Sequence, residues 1–402
     1  MKKTGLVFIL SLVAAFCIIS FVQAEDSIVE TPDVKIIIDG RLTSYENVPL
    51  SINQRTFLPL REFLVNLGVQ DDNEHIRWNS SEKSVTVYKD DIRIYLKLGS
   101  KIVYINNKPI EMDAAPISYT NQKVYIPIRF VSEALNKKIV WDGSSNTVLI
   151  RDIDDFEEVK GIVEKSNLAF DSISKYRLNM DTALRMGNEE LSMNIKARTS
   201  AEVDNEKKKM HMIVNTGFLG MDLSSDIYYC DGVQYVEDPV SGEWEKTEMP
   251  KQTYDDMFRR NSSIDMLDAT DALCAALVIS ESAGPDEIIL KGNIYMDEIF
   301  QKVSKYMNRD NGNGIIKPEY SFDEYYVEMS IDRDTYLLNS MLMNVKSGVK
   351  SGGEDIPMDI NINIIYGDYN GDFDVVIPQE IFDSAVNSKG TINEFDFILR
   401  RN

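Results

Sequence analysis

Met358-Asp359-Ile360-Asn361-Ile362-Asn363-Ile364 places an apolar side chain at every second position and a polar one between. That period of two is the period of a β-strand, whose successive side chains leave opposite faces, so one face of this segment suits a core and the other suits water. The same alternation recurs outward along the chain. Leu191, Met193, Ile195 and Ala197 interleave with Ser192, Asn194, Lys196 and Arg198; Val327, Met329 and Ile331 make a second row, and Met341, Met343 and Val345 a third. Met210-His211-Met212-Ile213-Val214 continues the pattern less cleanly. Long strands with one apolar face predict antiparallel sheet. Helical patterns near Tyr254 to Arg260, Ile264 to Leu277 and Tyr295 to Met307 fall between the strand groups and predict a cover for that face.

Upstream of the strands, Val159, Ile162, Val163, Leu168 and Phe170 are spaced for one side of a helix that starts near Phe156, and Asp152-Ile153-Asp154-Asp155 before it reads as a short linker. An internal repeat occupies about Val34 to Asp152. Thr56-Phe57-Leu58-Pro59-Leu60-Arg61 returns as Val124-Tyr125-Ile126-Pro127-Ile128-Arg129, and each copy runs through a short helix (Glu62 to Leu67, Phe130 to Leu135) into a hairpin. The first strands of those hairpins end in Trp78-Asn79 and Trp141-Asp142. Proline halts a strand, the following turns of helix cover the sheet, and each tryptophan is expected to close the core's edge. Arg61 and Arg129 are expected to satisfy carbonyls or a nearby carboxylate. The fold class expected is α+β: a small repeat-built α+β domain over 34–152, then an antiparallel sheet with helices covering one face over 156–388, then a polar tail over 389–402.

Lys2 and Lys3 precede a largely apolar run from Leu6 to Phe21, and Val22-Gln23-Ala24 supplies small residues ahead of Glu25. This predicts a signal peptide over 1–24 with cleavage after Ala24, a secreted or cell-surface protein, and no integral membrane span thereafter. The charge of −22 comes from 43 Lys and Arg against 65 Asp and Glu, and grows more negative when Lys2 and Lys3 leave. Such a surface repels nucleic acid and anionic headgroups, so neither is an expected partner. Cys230 and Cys274 remain after cleavage; spacing alone leaves open whether they join.

Met193, Met210, Met212, Met329, Met341, Met343 and Met358, with Met180, all fall where strands present an apolar side. Flexible thioethers suit an adaptable apolar surface, and these residues are the candidate lining of a pocket for an acyl chain or apolar peptide. An ordinary core filled by the covering helices is the other reading, and the sequence leaves both open. Asp368, Asn370, Asp372 and Asp374 begin like a calcium loop, but Phe373 and Gln379 stand where glycine and glutamate are needed, so turns on an acidic surface are expected and no metal or cofactor. No nucleophile elbow, metal-binding helix or phosphate loop is present, and His75 and His211 are the only histidines.

The paired Pro-x-Arg segments, with Leu96-Lys97-Leu98-Gly99-Ser100-Lys101 and Asp113-Ala114-Ala115-Pro116 between them, resemble the copper amine oxidase N-terminal-like domain of secreted Gram-positive proteins. The resemblance implies a stalk or adhesion-like module. It does not imply amine oxidation, which in those enzymes needs a separate domain with three copper-binding histidines where this chain has two. The second part, with Tyr228-Tyr229-Cys230-Asp231-Gly232-Val233-Gln234-Tyr235-Val236, Gly242-Glu243-Trp244-Glu245-Lys246 and Tyr366-Gly367-Asp368-Tyr369-Asn370, is similar to the LolA/LppX-like lipoprotein-carrier superfamily. That similarity implies a curved antiparallel sheet with helices over its concave side and, in several members, a hydrophobic ligand there. Together they point to a non-enzymatic envelope protein that binds a lipid or other apolar ligand; the alternative is a purely structural protein working through cell-wall or envelope proteins.

Overall fold

The computed structural model describes residues 27–129, 134–143, 145–188, 192–218, 220–258, 270–293, 319–351 and 354–388. The export segment 1–24, the tail 389–402, the helix expected at Tyr295 to Met307, and parts of those at Phe130 to Leu135 and Ile264 to Leu277 lie outside these residues. The chain gathers into two compact units: residues up to Val34 with Ser44–Leu135, and Lys35–Thr43 with Asn136 onward. The first stretch carries β1 (Ile28–Glu30), β2 (Lys35–Ile38), β3 (Arg41–Leu42), β4 (Leu50–Ile52), β5 (Arg55–Pro59) and helix α1 (Leu60–Asn66). Then come β6 (Ile76–Asn79), β7 (Ser84–Lys89), β8 (Ile92–Lys97), β9 (Ile102–Ile105), β10 (Lys108–Glu111), β11 (Ile117–Tyr119) and β12 (Lys123–Pro127).

The first unit holds two five-stranded sheets, ordered β1-β4-β5-β12-β11 and β10-β9-β8-β7-β6. The two Pro-x-Arg strands are neighbours: Leu58 faces Ile126, with Phe57 opposite Pro127 and Pro59 opposite Tyr125. Asn53-Gln54, Asn106-Asn107 and Asn121-Gln122 keep both turn residues at positive φ, the two-residue hairpin geometry that matches strand twist. Pro59 ends β5, α1 starts at Leu60, and Phe57, Leu58, Phe63, Leu64 and Ile126 are buried together with Leu50 and Ile52 in this unit. Arg61 donates to Asp71 Oδ1 at 2.6 Å and to the Ile76 carbonyl at 3.2 Å. The tryptophans do not close a core edge. Trp78 is 46% and Trp141 48% exposed, because each lies at the end of an outermost strand of its sheet; on β6 the smaller Ile76 is buried instead.

In the second unit β13 (Lys137–Asp142) and β14 (Thr147–Asp152) join β2 and β3 in a four-stranded sheet, β14 running parallel to β2. Helix α2 (Ile153–Asp171) follows β14 directly, so residues 152–155 are not a linker: Asp152 is the N-cap and accepts from the Asp154 amide at 3.0 Å. Its buried stripe is Phe156, Val159, Ile162, Val163, Ser166 and Phe170. Leu168 was expected there and is 68% exposed, since two residues past Ser166 the helix has turned about 200°.

The rest of the unit is one sheet of long strands: β15 (Lys175–Gly187), β16 (Ser192–Asp204), β17 (Lys209–Phe218), β18 (Met221–Cys230), β19 (Val233–Glu237) and β20 (Trp244–Glu248) come first. After helices α3 (Lys251–Met257) and α4 (Asp271–Ala276) follow β21 (Val278–Ile279), β22 (Glu287–Asn293), β23 (Glu319–Asp332), β24 (Leu338–Ser351) and β25 (Glu354–Gly367), then α5 (Gln379–Ser384) and β26 (Val386–Asn387). The twelve strands are ordered β21-β22-β23-β24-β25-β15-β16-β17-β18-β19-β20-β26. Among the described residues, with 52% strand and 16% helix, the fold is mostly β around a large curved sheet, and the α+β expectation is corrected to that extent. Residues of α2 and α4 share one core with Ile37 and Leu149 of the four-stranded sheet and with Leu290, Val327, Met329 and Met341 of the long one. Gly292 permits the closest approach: a Cβ there would stand 2.2 Å from the Ala276 carbonyl oxygen at the end of α4.

Beyond β25 the acidic turn is tied down by its own oxygens. Asp368 meets Arg177 at 2.5 Å, Asn370 Oδ1 accepts from the Ser174 amide at 2.8 Å, and Asp374 pairs with Lys207 at 2.6 Å and Lys175 at 3.2 Å. Hydrogen bonds from Lys207, then Lys175, hold Asp374 below the ordinary carboxylate range. A carboxylate whose folded pKa is depressed stabilises the fold fully above its unfolded value, and that contribution is lost as pH falls through the folded value. Asp374→Asn is therefore expected to be less stable than the parent at neutral pH, with the gap closing at the acid end of a denaturation series followed by circular dichroism. A gap independent of pH would remove these ion pairs from the account.

Candidate functional site

Register in the long sheet puts the methionines on one face. Met180 of β15 stands opposite Ile364 of β25, Ile364 opposite Met341 of β24, Met341 opposite Met329 of β23, and Met329 opposite Leu290 of β22. Two residues along, Thr182, Ile362, Met343 and Val327 form the next rung; beyond it Leu184, Ile360 and Val345 form another, and Met186 lies between Met358 and Met193. Toward the other end, Met212 pairs with Ala201 and Ile227, and Met210 with Val203 and Tyr229. Because side chains alternate strictly along each strand, all seven candidate methionines share this face.

Burial divides them. Met329, Met341, Met343 and Met358 are 1%, 1%, 3% and 7% exposed, whereas Met193, Met210 and Met212 are half-buried. On β15 and β16 the apolar residues Leu184, Met186, Met193, Ile195 and Ala197 are likewise only half-buried. Over β23–β25 the surroundings exclude water: burial pushes the Tyr325 hydroxyl up to about 12, and it donates to Met343 Sδ at 3.4 Å. Burial also raises Tyr366, whose ring packs edge-on against Phe170 of α2 at 6.5 Å. The face thus has a closed half and a partly open half.

The opposite face carries two adjoining open depressions that sequence reasoning missed, of about 470 and 760 Å³. They share Ala183, Asn194, Lys196 and Asn361, and Arg185 and Asp222 stand at their sides. Alanine at 183 and glycine at 217 leave the floor bare between polar neighbours; those two small residues were the available signal.

The remaining singled-out residues are spread through the fold. Cys230 and Cys274 are both free and buried, Cys274 in the main core and Cys230 in a separate cluster with Tyr228, Tyr235, Ile377 and Ile381. Burial lifts the Cys274 thiol to about 12, away from the thiolate form. His75 lies 2.8 Å from Asp72, and His211 pairs with Asp226 at 3.2 Å while stacking on Tyr228 at 4.2 Å. Among the described residues no group of three or more His, Cys, Asp or Glu is placed to hold a metal ion, and no helix is long and apolar enough to cross a membrane.

Comparison with known proteins divides the chain in two. Residues 37–150 match the copper amine oxidase N-terminal domain, and residues 158–386 match a family of unknown function (DUF6612). No curated protein is matched. Among solved structures, LprF from Mycobacterium bovis is 11% identical with a TM-score of 0.29, covering 55% of this chain and 96% of its own. Lipoprotein LppX from Mycobacterium tuberculosis is 9% identical with a TM-score of 0.30, covering 55% and 99%. A LolA superfamily protein from Nitrosomonas europaea is 11% identical with a TM-score of 0.21, covering 56% and 96%.

Proposed function

The chain belongs to the family of unknown function DUF6612, matched over residues 158–386, and we propose that this region holds an apolar ligand, an acyl chain or an apolar peptide, on the partly open half of its methionine-bearing face. One observation carries the reading: Leu184, Met186, Met193 and Ile195 are apolar, aligned on neighbouring strands and only half-buried, beside a closed half of the same face. A half-exposed apolar surface continuous with a core gains free energy when an apolar guest covers it, about 25 cal/mol per Å². Thioethers adapt to guests of different shape. The same proposal has the protein exported by its first 24 residues, the first unit serving as a stalk-like surface module, and no catalytic role.

A purely structural reading has its own support, in that Met329, Met341 and Met343 lie buried in the main core. Titration of the mature protein with 1-anilinonaphthalene-8-sulfonate, then displacement by oleic acid, separates the two. Saturable binding is expected, weakened at least tenfold, about 1.4 kcal/mol, by Leu184→Glu with Ile195→Glu. No saturable binding, or equal binding by the double variant with its melting temperature unchanged, would favour the structural reading.

A further inference from the structure

The outer face of the sheet β6–β10 gathers aromatic and basic side chains. Its inner face is core: Ile76, Val85, Val87, Ile94, Leu96 and Val103 are all 3% exposed or less. The alternation that buries them turns Arg77, Thr86, Tyr95, Tyr104 and Pro109 outward in a single rung across all five strands. Tyr88 and Arg93, a facing pair on β7 and β8, form the next rung. The rings and guanidinium groups are arranged together: Tyr95 and Tyr104 lie 6.0 Å apart, Arg93 is 5.9 Å from the Tyr95 centroid, and Arg77 is 5.9 Å from that of Tyr88. Asn107 Oδ1 accepts from Arg93 at 2.9 Å, and Glu82 accepts from the Tyr95 hydroxyl at 3.3 Å, so neither side chain swings freely.

The stretch that builds this sheet is also locally basic, with Arg77, Arg93 and Lys97 on the outer face and Glu111 at its edge. Residues 76–111 carry seven Lys and Arg against four Asp and Glu, while the whole chain carries 43 against 65. Tyrosine and threonine favour exposed strands for their own sake; that preference accounts neither for arginines held beside the rings nor for a basic sheet in an acidic protein.

We propose that this face binds a polysaccharide bearing acidic groups, sugar rings packing on Tyr95 and Tyr104 and the acidic substituents meeting Arg77 and Arg93. Tyrosine offers a flat apolar ring with a polar rim, suited to the C–H face of a sugar. Guanidinium matches carboxylate or phosphate through paired hydrogen bonds and keeps its charge at every physiological pH. A single-stranded nucleic acid would stack successive bases on such rings, but Tyr95 and Tyr104 are inclined at 57° to each other and form no parallel stacking platform. The site is independent of apolar-ligand binding in the second unit.

Affinity electrophoresis of the full mature chain through gels containing polygalacturonate, uncharged dextran or poly(dT) tests this. Retardation is expected with polygalacturonate, weaker with dextran and weaker with poly(dT). Tyr95→Ala with Tyr104→Ala should reduce polygalacturonate affinity at least tenfold at an unchanged melting temperature. Arg77→Gln with Arg93→Gln, changes at the surface, should bring polygalacturonate down to the level of dextran, Arg93→Gln alone should weaken it part of the way, and 0.3 M salt should act on the parent as the double change does. Absence of retardation by polygalacturonate, indifference to Arg93→Gln, or tighter binding to poly(dT) would each overturn the proposal.

Discussion

Phe156→Ala is expected to cost the second unit about 3–5 kcal/mol, the range for removing a fully buried aromatic ring. Phe156 is 0% exposed, in the first turns of α2, where the helix meets both the four-stranded sheet and the long one. Lys138 and Lys160 lie over its ring at 4.9 and 5.8 Å, and both pair with Asp271 at the start of α4, at 3.3 and 3.2 Å. Removing the ring therefore opens a cavity and takes away the surface on which those lysine stems rest. Phe156→Leu keeps most of the volume and should cost less than about 1.5 kcal/mol. Leu168→Ala, on the exposed side of the same helix, should stay within about 0.5 kcal/mol. Urea unfolding of all three variants measures the series. A loss below about 1 kcal/mol for Phe156→Ala would mean that α2 does not join the two sheets.

Much of this organisation was readable from side-chain period. Ile360, Ile362 and Ile364 share a face because strand geometry leaves them no alternative, and the methionine rows of β23 and β24 follow the same rule. Period says which face a residue takes and not which strand lies beside it. The pairing of β15 with β25, almost two hundred residues apart, is a long-range choice that no local pattern encodes. Exposure at the ends of elements was equally hidden. Trp78 and Trp141, at the ends of hairpin strands, read as closing a core's edge, yet an outermost strand offers cover on one side only. Residues 152–155 read as a linker because acidic residues look alike in a linker and at a helix N-cap; the Asp152 hydrogen bond distinguishes them.

The methionine face shows the same limit. Alternation brings the seven methionines to one side, but a row of thioethers looks alike in sequence whether neighbouring elements have closed over it or not. Charge counted over the whole chain concealed the basic sheet for a related reason: a net value of −22 averages away a local excess of three positive charges between residues 76 and 111.

Putting a carboxylate at each end of that face should produce opposite outcomes. Met341 is 1% exposed, flanked by Met329 and Ile364. Aspartate there loses the packing of the thioether and must either desolvate a charge or take up a proton, so Met341→Asp is expected to lose more than about 4 kcal/mol and unfold the second unit at room temperature. Met193 is half-buried, and its strand partner Met186 is half-buried with it. Aspartate at 193 can turn its carboxylate to water, so Met193→Asp should stay within about 1 kcal/mol of the parent while weakening apolar-probe binding at least tenfold. Urea unfolding and probe titration on the same two variants supply both readouts. Equal destabilisation by both would mean that the face is filled along its whole length, and the structural reading would then account for the methionines without any ligand. A stable Met193→Asp protein that has lost probe binding would separate the part of the sheet that holds the fold together from the part left for a guest.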